Sequence, residues 1–83
     1  MSKHQTKIIK EYEKKGYYVI KLTVTNKPGI PDLLALKYGQ TPIFIECKEK
    51  NDTLKPLQQY RIDELNKLGF IAFENKALKL FEI

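Results

Sequence analysis

The chain has 83 residues, 42% of them hydrophobic, and a net charge of +5 from fifteen Lys and Arg against ten Asp and Glu. That length makes one small domain with a modest core, which a dimer interface would help to complete. A single cysteine excludes an internal disulfide and fits a reducing compartment. No apolar run approaches membrane-spanning length and the Met-Ser-Lys-His start is no signal peptide, so a cytosolic location and no membrane partner are expected.

The first predicted element is a helix over Lys3 to Lys15. Ile8, Ile9 and Tyr12 form its apolar face, and Lys7, Lys10 and Lys14 fall together on the opposite one. Gln5 projects to the apolar side, where a polar group needs a partner or a function. Glu11 sits at the rim of that side and reads first as a charge-pair partner of Lys7 or Lys14. His4 reads as an exposed terminal residue. One His with one distant Cys makes no zinc site. Gly16 ends the helix. Tyr17 to Thr25, rich in Tyr, Val, Ile and Thr, reads as a strand.

Asn26-Lys27-Pro28-Gly29-Ile30-Pro31 is a loop with two prolines. Asp32 opens the next strand, Leu33 to Lys37, and Tyr38-Gly39-Gln40-Thr41 turns into a third strand, Pro42 to Lys48. The two strands read as a hairpin that brings Asp32 near Glu46 and Lys48, although register is not fixed by sequence. In a strand, positions i and i+2 share a face, so Glu46 and Lys48 project together, roughly 7 Å apart at the backbone. Ile43, Ile45 and Cys47 point the other way, into a core. A carboxylate beside an ammonium at a strand end, with a second carboxylate on the neighbouring strand, can hold a hard divalent cation and a water. The alternative is that Asp32 caps its turn and that Glu46 and Lys48 are an ordinary same-face pair.

Glu49 to Thr53 is a polar loop containing Lys50. A second helix is predicted from Pro56 to Leu68, with Leu57, Leu65 and Leu68 toward the sheet and Gln58 and Arg61 on the same side. Gln58 reads equally as a capping residue or a functional one. Arg61 has two readings, an ion pair with an acid at the core edge or a phosphate contact. Gly69 closes the helix. Phe70 to Glu74 reads as a strand, Asn75-Lys76 as a turn, and Ala77 to Ile83 as a last strand. Fourteen of the fifteen cations are Lys, which act as mobile point charges suited to attracting phosphate. An acidic polymer, nucleic acid above all, is the expected partner.

Gly29-Ile30-Pro31-Asp32, then Glu46-Cys47-Lys48, then Leu54-Lys55-Pro56-Leu57-Gln58 resembles the PD-(D/E)xK nuclease superfamily. More narrowly it is similar to small standalone virus-type replication-repair nuclease (VRR-NUC) domains, which are common in bacteriophages. The likeness covers nearly the whole chain. It implies a restriction-endonuclease-like α/β (α+β) fold with an αβββαβ core, a mixed central sheet flanked by two helices. It further implies a Mg2+- or Mn2+-dependent endodeoxyribonuclease. Asp32, Glu46 and the Cys47 backbone carbonyl would hold the metal. Lys48 would position and help activate the attacking water or offset transition-state charge, and Gln58 would orient the lysine or water or touch the phosphate. Such families often carry a further acid in the first helix. Here Ser2, Lys3 and His4 occupy that place, which leaves Glu11, and less well placed Glu13, as the nearby carboxylates and leaves metal number open. Gln5, Lys27, Lys50, Lys55 and Arg61 are candidate nucleic-acid contacts. Standalone domains of this type are expected to dimerise and cut branched DNA such as Holliday junctions, since two sites in two-fold relation can cut two strands symmetrically. Two other readings stand beside this one. The first is a non-catalytic nucleic-acid-binding module on the same fold or on one resembling double-stranded RNA-binding domains. The second is a degenerate nuclease fold kept for structure or assembly.

Overall fold

The computed structural model describes residues 3–77. In chain order they form α1 (Lys3–Lys14), β1 (Tyr18–Lys21), β2 (Leu33–Leu36), β3 (Ile43–Lys48), α2 (Pro56–Lys67) and β4 (Ile71–Lys76). The sheet runs β1-β2-β3-β4. The first three strands are an antiparallel meander and β4 joins β3 in parallel, which requires the crossover that α2 supplies. The αβββαβ order and mixed sheet agree with the expected fold.

Alternation along the strands divides the core between two faces. Leu33, Ala35 and Ile45 are buried with Ile8 of α1, joined by Ile43, Cys47 and Phe73. On the other face Ala72 is buried with Ile62 and Leu65 of α2, joined by Phe44, Ile30 and Leu54. The helices therefore cover opposite faces. Because Phe44 lies under α2 and Ile45 under α1, Glu46 and Lys48 belong to the α2 face.

Three details depart from the sequence reading. β1 stops at Lys21, where its partner begins at Leu33, and Val24 is almost fully exposed. The Leu22 N–H makes one further bond to the Asp32 carbonyl (2.8 Å), and the β-prone Thr23 to Thr25 has no strand opposite it because the two-proline loop occupies that place. On α2 the inward stripe is Ile62 and Leu65, with Gln58 and Arg61 half-buried beside it, whereas Leu57 and Leu68 are exposed. The first inward turn is polar because it lies over a polar site rather than over core. β4 continues through Asn75 and Lys76, read as a turn, since Cys47 and Lys48 are available to pair with them. Ala77 donates one further bond to the Lys48 carbonyl (2.8 Å). Of the last predicted strand, residues 78–83 lie outside the described residues.

The loop ahead of Asp32 is wedged between sheet and α2. Pro31 is fully buried, Ile30 packs under α2, and Arg61 Nε donates to the Pro28 carbonyl (2.8 Å). Gly29 adopts φ +82°, and a Cβ there would stand 2.7 Å from Leu57 Cγ and 3.1 Å from the Leu57 carbonyl oxygen. Conformation and space both demand glycine at this position. Gly29→Ala is expected to cost about 2 kcal/mol, seen as a lower urea midpoint. An unchanged midpoint would show that the loop gives way freely and does not fix Asp32.

Candidate active site

Asp32 precedes β2 by one residue, opposite the C-terminal half of β3. The last paired residues are Leu33 and Ile45, so Asp32 stands across from Glu46. The Asp32 carboxylate turns back onto β3, where Oδ2 accepts a hydrogen bond from the Cys47 N–H (2.9 Å). Glu46 and Lys48 are both buried, at 3% and 8% exposure, and Lys48 Nζ lies 3.8 Å from Glu46 Oε2. The same Glu46 oxygen receives Gln58 Nε2 at 3.5 Å. Gln58 Oε1 in turn accepts from the Lys55 N–H (2.9 Å) at the start of α2. One end of the Gln58 amide thus caps the helix, as its capping reading expected, while the other end faces the Glu46 carboxylate.

Burial pushes the Glu46 carboxyl up to about 7. Proximity to Asp32 and a hydrogen bond with it reinforce the shift, Glu74 adds to it, and Lys48 opposes it. The Cys47 thiol is pushed up to about 12, first by burial and then by Asp32 and Glu46, and it packs toward α1. Cys47 therefore meets the site through its backbone and not its sulfur.

The donor set of two carboxylates and peptide oxygens is hard, and it fits Mg2+ or Mn2+ rather than a thiolate-seeking ion. Burial and the neighbouring Asp32 carboxylate, which raise the Glu46 carboxyl, make this a place where positive charge is favoured. Among the described residues no three His, Cys, Asp or Glu side chains come close enough to cage an ion unaided. Such a set leaves coordination places for water, which Mg2+ keeps readily.

The other expected site residues distribute differently. Glu11 is exposed on α1, which covers the face opposite to Glu46, so the structure does not bring it to Asp32 and Glu46. It lines a basic groove with Lys7, Lys10 and Lys14. Gln5 lies half-buried on the same helix. Lys27, Lys50 and Lys55 are exposed on the loops before Asp32, after Lys48 and before α2. Arg61 is engaged with Pro28 and with Glu64 (3.1 Å), so it holds the loop rather than reaching out for a phosphate. His4 is not an exposed end. It is half-buried and its Nε2 donates to the Asn75 carbonyl (2.9 Å), tying the start of α1 to the end of β4. One acid escaped the sequence reading. Glu74 pairs in register with Glu46, and the available signal was the second acid-x-Lys, Glu74-Asn75-Lys76.

A consequence for stability follows from Glu46. Its folded value of about 7 lies above the ordinary 4.5, so the native state holds this proton more tightly than the unfolded chain. No cost arises below the unfolded value, and the full cost is present once pH passes the folded one. Metal-free protein is expected to lose roughly 3 kcal/mol from this group between acid and slightly alkaline pH. Urea unfolding in EDTA of wild type and Glu46→Gln checks it: the two should match near pH 4, with the variant more stable near pH 8. Parallel pH profiles for the two proteins would contradict the assignment.

A family model for the VRR-NUC domain matches residues 22–76. Among solved structures, Hjc, a Holliday junction resolvase from the archaeal hyperthermophile Archaeoglobus fulgidus, superposes with a TM-score of 0.69 at 22% identity. The match covers 93% of this chain but 63% of the resolvase, and at that identity it establishes a common fold. No curated protein matches the chain. The family match spans the elements that carry Asp32, Glu46, Lys48 and Gln58, and on it the chain belongs to the VRR-NUC domain family.

Proposed function

We propose that the chain is a divalent-metal-dependent endonuclease that hydrolyses DNA phosphodiester bonds at branched structures such as four-way junctions, acting as a homodimer. The observation that carries this reading is the convergence of Asp32, Glu46, Lys48 and Gln58 from β2, β3 and α2 at one end of the sheet. Membership of a nuclease family and the fold held in common with an archaeal Holliday junction resolvase support it.

Asp32, Glu46 and the Cys47 carbonyl would hold Mg2+ or Mn2+. When bound, such a cation polarises the scissile phosphate and lowers the pKa of the attacking water. The protein groups do the rest. Lys48 is withdrawn from solvent beside Glu46, where its charge is weakly screened. From there it can hold a water in line with the phosphorus and offset charge that builds on the phosphate in the transition state. Gln58 cannot swing freely, because its carbonyl end is held by the Lys55 N–H, and its amide end keeps Glu46 in place. Lys27, Lys50 and Lys55, exposed around the site, supply sequence-independent phosphate contacts and a steep salt dependence. Two such sites related by a two-fold axis suit a junction, which presents two equivalent strands.

A labelled four-way junction, with linear duplex as control, tests the reading in Mg2+, Mn2+ and EDTA. Wild type is expected to cut the junction only with a divalent cation, at symmetric positions near the branch. Asp32→Ala, Glu46→Ala and Lys48→Ala should each lose on the order of a hundredfold or more in cleavage rate, with junction binding largely kept. Tight junction binding by wild type without cutting in either cation would make the fold a binding module and overturn the catalytic reading.

A further inference from the structure

β4 carries a second acid-x-Lys, Glu74-Asn75-Lys76, in parallel register with the first. Glu46 pairs with Glu74, Cys47 with Asn75, and Lys48 with Lys76. Register-paired residues of parallel strands point to the same face. Ala72 packs under α2 and Phe73 under α1, so Glu74 stands on the α2 face, the face of Glu46 and Lys48. On the far side of Glu46, Asp32 occupies the position next beyond the Leu33–Ile45 pair. Asp32, Glu46 and Glu74 thus form a row of three acids across three adjacent strands. Like charges directly opposite on neighbouring strands are unfavourable, and Lys48 is the one cation the ion pairs of the described residues place against this row. α1 adds no acid here, because Glu11 and Glu13 belong to the helix over the other face.

We propose that Glu74 is a positioning residue of the metal centre, an outer-sphere carboxylate that holds the cation between Asp32 and Glu46 through intervening water. An inner-sphere role does not fit, since among the described residues no three such side chains converge on one ion. Glu74 is half-buried, and its strand is locked to β3 past the site by the bond from the Ala77 N–H to the Lys48 carbonyl (2.8 Å). It therefore keeps a fixed place beside Glu46 on the edge strand of the sheet. This role rests on the metal-dependent reading above and deepens it.

Mn2+ binding without DNA, followed by the loss of the free-ion paramagnetic resonance signal, tests the proposal on wild type, Glu74→Gln, Glu74→Asp and Glu49→Gln. Glu49 is an exposed acid in the adjoining loop and controls for net charge. Glu74→Gln should raise the Mn2+ dissociation constant about tenfold, a usual effect of losing an outer-shell carboxylate, and Glu74→Asp should recover part of the loss. Glu49→Gln should shift it less than twofold. The Mg2+ concentration for half-maximal junction cleavage should rise with Glu74→Gln, while the rate at saturating Mg2+ stays within about threefold of wild type. The thermal midpoint of metal-free Glu74→Gln should equal or exceed that of wild type, since a like charge has left the row. Unchanged Mn2+ affinity, or equal shifts for Glu74→Gln and Glu49→Gln, would overturn the proposal and leave the nuclease reading standing. A lowered metal-free midpoint accompanying weaker binding would assign Glu74 a structural role and also overturn it. Failure of wild type to bind Mn2+ would remove the metal-dependent reading itself, and this proposal with it.

Discussion

The bond from the Cys47 N–H to Asp32 Oδ2 joins the two halves of the site. It forms where the β2–β3 ladder has just ended, so a side chain takes the place that a backbone acceptor would fill further along the strands. Everything around Asp32 serves to bring it there. Pro31 is buried, Gly29 takes a left-handed conformation against Leu57, and Arg61 grips the Pro28 carbonyl from α2. The loop, the second helix and the hairpin are thereby fixed to one another through a few polar contacts, and the Asp32–Glu46 pair inherits their rigidity.

The electrostatics of the site run against the metal-free fold. A buried carboxyl beside a second carboxyl and in register with a third is an arrangement that packing alone would not favour. Lys48 offsets part of it from 3.8 Å, and a proton retained on Glu46 to about pH 7 offsets more. A divalent cation would replace that proton and satisfy the carboxylates together. Local instability at a functional site is the expected companion of such pre-organisation. Here it is confined to the sheet end, while the apolar clusters on either face carry the fold.

Much of this was legible in the residues. The period-two pattern of Ile43-Phe44-Ile45-Glu46-Cys47-Lys48 assigns Glu46 and Lys48 to one face and the apolar positions to the other, and the structure agrees. Gly-Ile-Pro-Asp announces an acid presented by a constrained turn, which is what the loop does. Less was legible where a tertiary partner decides. β1 is cut short because the proline loop offers nothing to pair with, and β4 is lengthened because β3 does. Leu57 and Leu68 read as inward by composition, yet the inward stripe is set by where α2 crosses the sheet. His4 and Arg61 took structural partners more than seventy and thirty residues away in sequence, which no local pattern reveals. Glu74 carried the weak signal of a second acid-x-Lys, and only the parallel register gave it meaning.

On the proposed reading, the Asp32–Glu46 pair would hold a cation in the place that the Glu46 proton takes in the metal-free protein. Calorimetric titration with Mn2+ near pH 6.5, in two buffers of different ionisation enthalpy, counts the protons released per ion bound. With Glu46 titrating at about 7, wild type should release about three quarters of a proton per Mn2+, falling toward zero above pH 8. Mn2+ binding with no pH-dependent proton release, or release that persists in Glu46→Gln, would contradict the account.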